Sequence, residues 1–131
     1  MRVLQPPGWP KPKGYVNGVA AKGEIVFVAG QIGWDESQRF ASDDFVEQMA
    51  QALRNMLAVL AEAGAGPEHV ARMTWYITDR DEYLARLPEA GQVWRSLMGR
   101  NYPAMSVVEV SALVEARARI EIEATAVVPP R

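Results

Sequence analysis

Few side chains in this chain are equipped for bond-making chemistry, and the residues that could have been are mostly missing. There is no cysteine, so disulfides, thiolate metal sites and cysteine nucleophiles are excluded. His69 is the only histidine. It follows Pro67-Glu68 in a loop, with no acid or nucleophile at a recognisable spacing, and a surface role is expected for it. A Ser/His/Asp triad would need His69 with Ser37, Ser42, Ser96, Ser106 or Ser111, none of which sits in a nucleophile elbow. HExxH, DxDxDG and clustered carboxylates are all absent, so neither a metal nor a cofactor is expected. What remains for chemistry is Glu121, Tyr15 and the backbone around Gly30 and Val107. On spacing alone, Glu121 and Glu123 read as the polar face of an alternating strand.

The elements that must position these groups can be read from periodicity. Residues 102–126 form two strands with a turn at 114–117. In the first, Met105, Val107, Glu109 and Ser111 share one face; in the second, Ala118, Ile120, Ile122, Ala124 and Ala126 form an apolar face opposite Arg119, Glu121, Glu123 and Thr125. Residues 6–14, PPGWPKPKG, are expected to be an extended lead-in, with Trp9 packing onto a neighbour or lining a pocket. A short strand at 15–20 is expected to turn through Ala21-Lys22-Gly23 into a second at 24–32. There Ile25, Val26, Phe27, Val28 and Ala29 are consecutively apolar, as in a strand covered on both faces. Gly30 and Gly33, in GQIGWD, mark a sharp turn or a close approach to a ligand, without the pattern of a nucleotide loop.

A helix is expected over 43–63, with Ser42 as N-cap and Gly64 as stop, burying Phe45, Met49, Ala52, Leu53, Met56, Leu57 and Leu60. A strand at 70–78 places Ala71, Met73, Trp75 and Ile77 on one face. Thr78-Asp79 then caps a second helical region ending at Gly99, kinked or restarted at Pro88.

Composition narrows the function classes. The 131 residues, 49% hydrophobic and 23% charged, suit one domain over 1–131 with a real core. A net charge of −2 without a Lys/Arg cluster argues against a nucleic-acid surface. The start, MRVLQPPGWP, lacks a signal-peptide core and no apolar run could span a bilayer, so a cytoplasmic protein without membrane contact is expected.

P-A-x-S-x-V-E-V at 103–110 and I-E-I-E-A-x-A at 120–126 resemble the C-terminal signature of the RidA/YjgF family of reactive-intermediate deaminases. GYVNGVAAKGEIVFVAGQIGWD at 14–35 is similar to that family's Y-S-x-A-V and F-V-S-G-Q-I-P-x-D, and MTWYITD at 73–79 to its T-V-F-L-T-D. The likeness covers nearly the whole chain. It implies that Glu121 orients the water attacking an imine carbon, with the Val107 carbonyl as a second water ligand, while Tyr15 helps to close the pocket. The segment carrying Gly30, Gln31 and Trp34 would lie beside that pocket, Trp34 serving as a stacking wall or as a rim aromatic. The family's carboxylate-gripping arginine is replaced by Met105, whose thioether offers only a soft apolar surface.

The expected architecture is α+β, in the order β-β-α-β-α-β-β: one mixed sheet with two helices on one face. The bare apolar face then predicts an oligomer, which the resemblance makes a barrel-like homotrimer with small-molecule pockets between subunits. The functional reading is hydrolysis of enamines or imines with release of ammonia, its substrate preference altered at Met105. The alternative is a non-catalytic small-molecule-binding or regulatory trimer. An endoribonuclease activity, attributed to some relatives, suits the acidic balance and the single histidine least.

Overall fold

The computed structural model describes residues 1–131. Its elements are strands β1 (Arg2–Leu4), β2 (Gly18–Ala20) and β3 (Glu24–Ile32), helix α1 (Phe45–Glu62), strand β4 (Val70–Ile77), helices α2 (Arg80–Ala85) and α3 (Leu87–Met98), and strands β5 (Ala104–Glu109) and β6 (Ile120–Val128). The main sheet runs β3-β6-β4-β5; β4 and β5 are parallel and the other pairs antiparallel. A single mixed sheet with helices on one face is therefore what forms. The second helical region is two helices, divided at Arg86 because Pro88 opens a new first turn.

Alternation decides which face is buried. Ile120, Ile122, Ala124 and Ala126 point inward from β6 and join Phe45, Met49, Leu53 and Met56 of α1 in one core of 19 buried residues. Each aliphatic or methionine side chain fully buried there contributes roughly 1.5–3 kcal/mol. On β4 the inward set begins with Val70 rather than Ala71, because the register with β6 slips between Val70 and Arg72.

Two local expectations are corrected. The N-cap of α1 is Asp44, which is extended and accepts from the Glu47 amide, while the Ser42 hydroxyl accepts from the Asp44 amide just ahead of it. Residues 21–23 do not close a hairpin: β2 pairs with β1 in a separate ribbon, and β3 pairs with β6. Gly23 adopts φ 151°, and a Cβ there would overlap the Val128 carbonyl, so this glycine serves the close approach of β3 to the end of β6. The inner face of β3 is covered through Val28. Its outer face is not, with Ile25 57% and Phe27 78% exposed.

Candidate functional site

A cavity of about 600 Å³ opens between the inner face of β4 and β5 and the helices α2 and α3. Trp75, Met105 and Val107 come to it from the sheet, and Tyr83, Trp94 and Gly91 from the helices. Tyr15, Lys13 and Arg95 stand at its exposed edge. Tyr15 and Met105 meet because the Val16 amide donates to the Pro103 carbonyl (3.1 Å) and Val16 bridges Ala104, pinning the lead-in against the start of β5. The helical wall is fixed by Arg86, whose guanidinium binds Asp44 (2.8 Å) at the start of α1 and Glu89 (2.6 Å) in the first turn of α3. At the far end of β5, the Glu109 carboxylate accepts from the Arg80 amide (2.7 Å), tying that strand to α2.

The cavity is walled by a file of aromatic rings. Phe45 meets Tyr83 edge-on at 6.1 Å and Tyr83 meets Trp75 at 6.5 Å. Trp75 lies 6.0 Å from Trp94, which stacks on Tyr102 at 6.2 Å and 9°. These separations fall in the favourable range for ring pairs, each worth about 0.5–1.5 kcal/mol beyond its buried area. Burial pushes the Tyr83 phenol above its usual range, so it stays neutral. The indole N–H groups of Trp75 and Trp94 are buried without an acceptor. An unpaired buried donor costs about 1–3 kcal/mol, a cost that the ring packing helps to offset. Sequence reading did not assign Trp75, Tyr83, Trp94 or Tyr102 to a site. Their one signal was aromatic density in 75–102, which at these spacings also describes ordinary core.

Glu121 lies on the opposite face of the sheet. It pairs with Tyr76 across β4, and a Cβ on Gly30 would come within 2.7 Å of its Cδ, so the bare glycine makes room for the carboxyl group. Glu123, next on this face, accepts from the Tyr76 hydroxyl at 2.6 Å. That bond, followed by desolvation and the charges of Glu123 and Glu121, raises the Tyr76 phenol above its usual value, against the opposing effect of Arg72. A second cavity of about 440 Å³ is lined here by Phe27, Ala29, Arg72, Thr74, Glu123 and Thr125.

One chain thus gathers Tyr15, Met105 and Val107 on the inner side and Gly30 with Glu121 on the outer side, with the sheet between the two groups. The Gln31 amide donates to the Ala29 carbonyl of its own strand (3.1 Å). Trp34 sits in the loop after β3, 5.9 Å from Phe40, whose ring Arg117 covers at 5.3 Å. His69 accepts from the Gly66 amide at 3.0 Å and serves its own loop.

Two amides on α1, which sequence reading passed over, hold the loops on either side of this arrangement. Buried Gln48 donates to the Ser42 and Arg117 carbonyls (3.0 Å each) and accepts from the Arg119 amide (2.8 Å), setting where β6 begins. Asn55 donates to the Ile32 and Trp34 carbonyls at 3.0 and 2.7 Å, fixing the end of β3. No helix is long and apolar enough to cross a membrane.

Residues 10–128 match the family described as Endoribonuclease L-PSP. A RutC family protein of Pyrococcus abyssi is 35% identical over 118 residues, 89% of each chain. The human 2-iminobutanoate/2-iminopropanoate deaminase is 31% identical over 106 residues, covering 80% of this chain and 74% of its own. Among solved structures, a conserved Rid family protein of Yersinia pestis superposes with a TM-score of 0.85 at 31% identity, covering 97% of this chain and 98% of that one. E. coli TdcF with bound serine gives 0.68 at 29% identity, over 97% and 98% of the two chains.

Proposed function

This chain belongs to the Endoribonuclease L-PSP family, the RidA/YjgF family of the sequence resemblance, and from that premise we propose that it hydrolyses enamines or imines to carbonyl compounds and ammonia. The observation that carries this reading is the cavity uniting Tyr15, Met105 and Val107, together with a free carboxylate, Glu121, on the outer face of the same sheet. Since the sheet separates them, the working site needs two copies: the outer face of one presents Glu121 to the cavity of the next. The exposed Ile25 and Phe27 support such an assembly, which the family resemblance makes a trimer.

In the proposed reaction Glu121, with the Val107 carbonyl, orients a water against the carbon of the C=N bond. The water oxygen bonds to that carbon as its proton passes to Glu121. The carboxyl group delivers that proton to nitrogen, giving a carbinolamine; the hydroxyl proton then passes through Glu121 to the same nitrogen, the C–N bond breaks, and ammonia leaves with the bonding pair while the C=O bond forms. An enamine first takes a proton at its β carbon and gives one up from nitrogen, and so becomes the imine. No covalent enzyme intermediate is needed, only position and a proton acceptor. Met105 supports a second reading, a binding or regulatory trimer, because a thioether cannot hold a carboxylate as an arginine fork does. Endoribonuclease activity is not our reading: a net charge of −2 with no basic stripe gives a phosphate backbone little to bind.

The test is complementation between copies. Glu121→Gln removes the proton acceptor, and Gly91→Phe fills the cavity from α3. Each variant alone should release no ammonia above the uncatalysed rate from imines generated in situ. Unfolded and refolded together in equal amounts, they should recover about a quarter of wild-type activity, since a two-copy site is then intact by chance that often. Full activity of Glu121→Gln would remove the carboxylate from the mechanism, and no recovery on mixing would refute a site shared between copies.

A further inference from the structure

We propose that the substrate is an imino or enamino acid with a large aromatic or branched apolar side chain, its carboxylate held by Arg95 at the edge of the cavity. This rests on the hydrolase reading above and gives it a substrate class.

Other arginines near the helical layer are already engaged. Arg86 is bound by Asp44 and Glu89, Arg117 by Asp43 at 2.8 Å, and Arg119 by Glu82 at 3.4 Å. Arg72 lines the opposite face beside Glu123. Arg95 lines the aromatic cavity, makes no ion pair, and shares the lining with no carboxylate. Its guanidinium folds back along α3: Nη1 lies 3.4 Å from where a Cβ on Gly91 would stand, and both residues line the cavity. The missing side chain at 91 thus leaves the guanidinium a path along the helix to the opening. Lys13, across the edge, adds a second positive charge. At this edge an acid meets two cations, and the lining that the same chain supplies holds no competing carboxylate.

Size and lining define the rest of the molecule. A cavity of about 600 Å³ is far larger than a small imino acid needs, and it sits within the ~300–1,000 Å³ of sites for larger organic ligands. Small substrates would leave apolar wall facing water. A phenyl or indole ring would instead extend the file from Trp75 to Tyr102 and meet the polarisable Met105 sulfur. Met105 then belongs to the recognition of an apolar side chain, with the charge it fails to supply coming from α3.

Binding and turnover are read separately. In calorimetry, phenylpyruvate, the hydrolysis product of the phenylalanine-derived imino acid, should bind at least about tenfold more tightly than pyruvate. Arg95→Ala should weaken phenylpyruvate by about 10- to 100-fold, with partial rescue by Arg95→Lys. With an amino-acid oxidase generating imino acids in situ, Arg95→Ala should raise KM for the phenylalanine-derived species far more than it lowers kcat. Equal affinity for the two oxo acids would overturn the substrate class, and an unchanged Arg95→Ala would overturn the carboxylate anchor. If phenylpyruvate binds as expected but no imino acid is turned over, the hydrolase reading fails alone and the ligand class stands.

Discussion

Gly30 and Glu121 constrain one another. A methyl group at 30 would meet the Glu121 side chain and not backbone, so the flexible carboxyl arm would move and the strand would not. Gly30→Ala should therefore leave the thermal midpoint nearly unchanged while ammonia release falls by about tenfold or more, since displacing a catalytic group by ~1 Å can cost 10²-fold. Thermal unfolding and turnover on one preparation check this, and retained activity would detach Glu121 from the chemistry. Glu121 was legible as a residue type on a known motif, and even its face was: the alternation that sends Ile120 and Ile122 inward sends it outward. What the motif could not give was its distance from Met105, because faces on different strands are compared only once the sheet order β6-β4-β5 is known.

Among the elements, α1 links most of the structure. Its N-cap Asp44 also binds Arg86, the residue just ahead of α3, so one carboxylate joins the starts of α1 and α3. The Arg86 hydrogen bond, with the Glu47 amide, holds the Asp44 carboxyl below its ordinary value of 3.8. A lowered folded-state pKa gives stability that is present above 3.8 and is lost as pH falls through the lower folded value. Asp44→Ala should cost about 0.5–2 kcal/mol at neutral pH, and the deficit should shrink in strong acid as the wild-type carboxyl protonates below its ordinary value. Denaturant titrations at both pH values would show it, and a deficit independent of pH would leave only the neutral part of the cap. Salt should weaken the effect, because this pair is about one third exposed. The helices themselves were readable from their three-four spacing. The β1–β2 ribbon was not, because Arg2–Leu4 carries no alternation long enough to mark a strand and its partner is chosen by tertiary placement.

For the whole molecule, the outer sheet face is the feature that a single copy leaves unfinished. Ile25 and Phe27 are apolar, mostly exposed, and next to the polar patch of Arg72, Glu123 and Tyr76. Light scattering should give about three times the chain mass, and Phe27→Glu, which places a charge in the proposed contact, should shift the protein to monomer and abolish turnover together. A stable wild-type monomer would refute both the assembly and the shared site. The run of apolar residues 25–29 announced this face early, since a strand apolar on both sides needs two covers and the helices supply one. The sheet also keeps two inventories apart, with the residues that would grip a molecule on one side and the carboxylate that would attack it on the other. Inherited changes at positions such as 95 and 105 can accumulate without disturbing the packing around Glu121, so descendants of one such chain can come to serve different metabolites while keeping a single reaction.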